Sequence, residues 1–149
     1  MASDELLEIY RQLRTSQDKY VYFILAAAAS AVAFALVRTQ ELPLSSRLVP
    51  WGLALFLWGL SFFCGCQHLR YVSSTLFSNA ELLRIERGVH PKVGAHPEMI
   101  AAASEGIKSA MEYNSERANL LGKRQFYLFI AGALAYVTWH VLQMYARTK

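Results

Sequence analysis

The chain has 149 residues, 54% of them hydrophobic, and a formal net charge of +4. That length holds about one domain, and the apolar share lies above the usual range of water-soluble proteins, which points to lipid as a solvent. Its two cysteines, Cys64 and Cys66, are two residues apart on one apolar stretch and exclude a disulfide framework. The basic excess reads as flanks facing anionic lipid, so nucleic acid is not expected as a partner.

Three windows carry no charged residue: 20–37, 48–69 and 125–146, with 18, 22 and 22 residues. A hydrocarbon core of about 30 Å needs roughly 20 helical residues at about 1.5 Å each, so all three can cross it. Residues 1–19 precede the first window. Ser3 is a good N-cap, Asp4 and Glu5 suit the positive end of a helix dipole, and Leu6, Leu7, Tyr10 and Leu13 recur at helical spacing. A short amphipathic helix is expected there. Its acidic start is unlike the positive start of a secretory signal, so the first span is expected to be retained.

Span one, 20–37, has an alanine-rich centre in which Ala27, Ala31 and Ala35 repeat every four residues. Small residues at that spacing let a neighbouring helix approach closely, although alanine is also simply a good helix former. Residues 38–47, with Pro43 and two serines, form a loop short enough to make spans one and two antiparallel neighbours. Pro50 suits the first turn of span two, 48–66, and Trp51 its interface. Gly52, Gly59 and Cys66 fall seven apart, a small-residue seam expected to pack against another span.

The helical pattern continues past Cys66 through Leu69, Val72, Leu76, Ala80 and Leu83, now interleaved with Arg70, Ser74, Glu81 and Arg84. It should stop where Arg84 and Arg87 fill the last turn, Gly88 can adopt the left-handed cap conformation, and Pro91 forbids resumption. Pro97 and Glu98 suit the first turn of a new helix. Ile100, Ile107, Asn114 and Leu121 share one heptad position, and Ser104, Met111 and Ala118 another, so a seam runs toward Gly122 and span three, 125–146. Residues 67–124 thus read as a helical hairpin extending spans two and three, with 147–149 as a tail.

Three Lys/Arg precede span one, eight lie between Arg70 and Arg124, and the opposite side has four: Arg38, Arg47, Arg147 and Lys149. The positive-inside rule then places the N-terminus and hairpin in the cytoplasm and the C-terminus outside. In the absence of a sorting signal, a bacterial inner membrane is the expected location.

Chemistry-bearing residues are few. On span three Gln125, Gly132, Tyr136, His140 and Gln143 fall within a narrow arc at about 100° per residue. Polar groups in lipid must be satisfied, so this face should look toward protein as a helix interface or toward a water-filled path, with His140 able to change charge near neutral pH. Cys64-Gly65-Cys66-Gln67-His68 has the look of a metal site, but only Cys64 and His68 share a helical face, and no metal or cofactor is expected. Arg84 and His90, with five residues between them, resemble the arginine–histidine motif of HEPN ribonucleases, helical domains that cut RNA as dimers. The likeness covers seven residues, and the activity is not carried over.

The expected fold is an all-α integral membrane protein with three transmembrane helices, an N-terminal amphipathic helix and a cytoplasmic hairpin. The expected function is non-catalytic: a self-associating homo-oligomer, of pore or channel type, whose hairpin docks or gates. An accessory or scaffold subunit of a larger membrane complex is the alternative, and a membrane-tethered HEPN-like ribonuclease the weaker one.

Overall fold

The computed structural model describes residues 2–39 and 48–147, and all regular structure among them is helical. There are three long helices: α1 (Ala2–Thr39), α2 (Val49–Glu86) and α3 (Pro97–Arg147). Each contains a stretch long and apolar enough to cross a membrane.

In α1 the expected amphipathic segment and the first apolar window are one helix, because no glycine or proline interrupts residues 2–39. Arg38 and Thr39, expected in the loop, extend that helix, and the Thr39 hydroxyl donates back to the Ala35 carbonyl at 3.0 Å. The rest of the expected loop, 40–47, lies outside the described residues. Pro50 sits in the first turn of α2, where its missing N–H has no helical acceptor to lose.

α2 runs without a break from its apolar half into its polar half and ends at Glu86. The cap is a Schellman arrangement: Gly88 N–H donates to Ile85 O at 2.9 Å, and Val89 N–H donates to Arg84 O at 3.1 Å. It requires a left-handed residue, and Gly88 supplies it with φ of 67°. Gly94 makes a second left-handed turn at φ 62°, and Ile100 N–H donates to His96 O at 2.9 Å as α3 begins. The 51 residues of α3 correspond to roughly 75 Å of helix.

The chain divides into two compact units, Met1–Gly65 with Lys123–Lys149, and Cys66–Gly122. In the first, Ala35, Ala54 and Trp58 form the core, with Val32, Leu55, Phe129 and Ala133 packed around them. The buried line on α1 is Val21, Ile24, Ala28 and Ala35, whereas Ala27 and Ala31 are half-buried. A strict four-residue row drifts about 40° per step around a helix, so a straight contact line must alternate threes and fours.

In the second unit α2 and α3 meet along the expected heptad positions. Ile100, Ser104, Ile107, Met111, Asn114, Ala118 and Leu121 are all buried or half-buried, and most residues between them are exposed. Leu82 and Ile85 supply the α2 side. Across the pair, Asn114 Nδ2 donates to Ser74 Oγ at 3.2 Å, and Lys108 Nζ lies 3.5 Å from a Glu86 carboxylate oxygen.

Candidate functional site

The polar arc of α3 has two different environments. Its first part is closed against α2. Gln125 is 2% exposed; its backbone carbonyl accepts the Ser61 hydroxyl at 2.7 Å, while its buried side-chain Nε2 has no partner among the described residues. Gly65 makes this approach possible, because a Cβ there would lie 2.5 Å from that Nε2 and 2.7 Å from Leu25. Seven residues further along, Gly132 forms a notch filled by the Trp58 indole, whose N–H donates to the Phe129 carbonyl at 3.2 Å. Tyr136 then makes tilted ring contacts with Trp58 and Trp139, with centroids 5.6 and 5.4 Å apart.

The second part of the arc is open. His140 is exposed and Gln143 half-buried, and both line a cavity of about 460 Å³ with Phe34, Arg38, Tyr136, Trp139 and Met144. The Arg38 guanidinium lies over the Phe34 ring at 5.4 Å from its centroid. Trp139 is 5% exposed, and its buried indole nitrogen has no hydrogen-bond partner among the described residues.

On the apolar half of α2 the buried residues include Ala54, Trp58, Ser61 and Gly65, spaced four, three and four, with Trp51 and Leu55 packed beside them. Gly52 and Gly59 lie on a different face, where an added Cβ would meet nothing within 4 Å, and Cys66 is exposed. Among the described residues, the expected small-residue seam therefore meets no neighbour within 4 Å of a Cβ at Gly52 or Gly59. Sequence reasoning passed over Trp58, Ser61 and Gly65, although their alternating spacing could have marked them as a contact line.

The Cys64–His68 stretch is used for packing. His68 Nδ1 lies 2.7 Å from the Ala118 carbonyl, which selects the tautomer with the proton on Nδ1, and Gly122 makes room for the imidazole at 3.2 Å. Both cysteines are free, Cys64 buried and Cys66 exposed. Among the described residues, no three His, Cys, Asp or Glu side chains gather as a metal would require.

Arg84 and His90 converge on one carboxylate. Arg84 Nη1 donates to Glu81 Oε1 at 2.8 Å, and His90 Nε2 lies 3.5 Å from Glu81 Oε2. The Lys92 N–H donates to His90 Nδ1 at 3.3 Å, which leaves the ring proton on Nε2, facing Glu81. The cluster is thus a tie across the turn that follows α2. No known protein family, curated protein or solved structure matches this chain.

Proposed function

We propose that the protein is a non-catalytic, self-associating membrane protein with three transmembrane helices and a helical hairpin that docks a further component. The observation that carries this reading is where the apolar surface lies. Only 28%, 22% and 17% of the most apolar windows of α1, α2 and α3 is buried within the chain. Phe23, Phe56, Phe63, Leu134 and Val137 are all more than half exposed on those helices. In water such a surface would drive aggregation, whereas in hydrocarbon it costs nothing. Basic residues concentrated between Arg70 and Arg124 support a cytoplasmic hairpin, with the N-terminus inside, the C-terminus outside and a bacterial inner membrane as host.

Gly132 and Tyr136 are occupied by Trp58 within a single chain, so they support a helix interface. A conducting assembly would draw its polar lining from His140 and Gln143, with Tyr136 and Arg38 beside them at the open part of the arc. The scaffold-subunit reading is favoured by the hairpin, where Phe77, Val89, Met99 and Tyr113 expose apolar surface outside the uncharged windows.

Membrane insertion is tested by alkaline extraction of lysed-cell membranes: the protein should stay in the pellet and need detergent for release. Particle mass of the purified protein in mild detergent then separates the readings, a multiple of 16.8 kDa supporting self-association and a lone monomer the scaffold role. In liposomes, an ion flux that survives His140→Ala with Gln143→Ala would remove the pore reading.

A further inference from the structure

Within the first unit, α1 and α3 run side by side in the same direction. The Tyr20 and Phe126 rings lie 6.5 Å apart between centroids, and fourteen residues further along each helix Phe34 and His140 line one cavity. Its volume of about 460 Å³ falls inside the range of small-ligand sites, roughly 300–1,000 Å³. The described lining comes from two helices, Phe34 and Arg38 of α1 and one face of α3 between Tyr136 and Met144.

The chemistry of the cavity is graded along the two helices. Its inner end is aromatic, with Phe34, Tyr136 and Trp139, and its outer end carries Arg38, His140 and Gln143. Arg38 is exposed and rests over the Phe34 ring at 5.4 Å from its centroid. No acidic residue occurs in 20–39, 48–65 or 123–147, so among the described residues of the three spans this guanidinium has no carboxylate to neutralise it. Trp139 adds a buried indole N–H that has no partner among the described residues. A fixed cation, two side chains able to donate and no opposing carboxylate form a setting for an anion.

The depth of the cavity identifies the anion. The 18 uncharged residues between Lys19 and Arg38 rise about 27 Å, close to the thickness of a hydrocarbon core, so with Lys19 in one headgroup layer Arg38 reaches the other. Phosphates of the lipid itself lie at that level. Phe34 is 53% exposed, so the aromatic end of the cavity opens sideways onto acyl chains, a contact that a small soluble anion cannot use. We infer that the cavity seats the headgroup of an anionic phospholipid, its phosphate on Arg38 with His140 and Gln143 as further donors and its glycerol end against Phe34 and Tyr136. The site rests on the membrane reading above and requires neither self-association nor a conducting path. A headgroup that also carries an ammonium would set that charge beside Arg38 with no carboxylate to receive it, so phosphatidylglycerol is preferred over phosphatidylcholine.

The test is native mass spectrometry of the full-length protein in mild detergent, titrated with phosphatidylglycerol or with phosphatidylcholine of the same chains. Wild-type protein should hold one phosphatidylglycerol per chain about tenfold more tightly than phosphatidylcholine. Arg38→Gln should erase that preference, and Arg38→Lys, which keeps the charge but not the planar fork, should retain part of it. Arg124→Gln removes an exposed cation at the other end of the span and should leave the preference unchanged. Excess glycerol 3-phosphate should not displace the lipid; displacement would assign the cavity to a soluble phosphate and overturn the lipid site. Equal affinity for the two lipids, or equal losses in Arg38→Gln and Arg124→Gln, would mean a general attraction of the basic chain and also overturn it. These results leave the membrane reading standing when alkaline extraction keeps the protein in the pellet, whereas release into the supernatant overturns both.

Discussion

Gly132→Ala isolates the contact that closes α3 against α2. The added methyl would sit 2.7 Å from both Cδ1 and Nε1 of Trp58, where a carbon contact needs roughly 3.5–4.0 Å, so about 1 Å of displacement is forced. The indole has little room to move: it is 5% exposed, its N–H is held by the Phe129 carbonyl, and its ring lies against Tyr136 at a tilt. Overpacking of this kind costs about 1–3 kcal/mol, and losing the interhelical hydrogen bond adds about 0.5–1 kcal/mol. Replacing glycine by alanine in a helix returns up to about 1 kcal/mol. The net expectation is a loss of about 1–3 kcal/mol. It is read by titrating detergent-solubilised protein with SDS and following tryptophan fluorescence, since Trp51, Trp58 and Trp139 all lie in this unit. The midpoint should fall, and Trp58→Phe in the Gly132→Ala background should recover part of the loss by freeing space. Unchanged stability in Gly132→Ala, or no coupling between the two substitutions, would refute the notch.

Four further outcomes follow from the packing. Gly88→Ala should cost about 1 kcal/mol, because the Schellman cap holds φ at 67°; hydrogen exchange at Gly88 and Val89 should quicken, and unchanged exchange would argue against the cap. His68→Ala removes the bond to the Ala118 carbonyl and leaves a void beside Gly122, so the hairpin should lose about 1–3 kcal/mol in exchange protection. Gln125→Met replaces a buried amide with an unpartnered Nε2 by an apolar chain of similar volume, and SDS titration should show equal or greater stability; a clear loss would mean that the amide has a partner. Arg84→Ala breaks an ion pair that is largely exposed on the arginine side, so stability should change by less than about 1 kcal/mol. A fluorogenic RNA should stay uncut by either protein, and cleavage lost specifically in the variant would revive the ribonuclease reading.

Helix existence and most helix ends were legible because their causes are local. Gly88, Pro91 and Pro97 act within one or two turns of where they stand, and the two glycine or proline devices flanking the turn appear where the chain reverses. The α3 seam from Ile100 to Leu121 was also legible, since charged residues on either side mark by contrast which positions turn inward. The cluster of Arg84, Glu81 and His90 was only half visible: the spacing of Arg84 and His90 is in the sequence, but their convergence on Glu81 depends on the fold of the turn.

What the sequence by itself determined, then, is which stretches are helical, most of their ends and which of them suit oil, although not that residues 2–39 form one helix. Only the tertiary structure decided which face of α2 turns inward, selecting Ala54, Trp58, Ser61 and Gly65 over the row begun by Gly52 and Gly59. The physical reason is that a helix apolar on every side has no polar face to point away from its neighbours, so the choice passes to shape. Here shape means one indole, Trp58, that fits the notch left by Gly132.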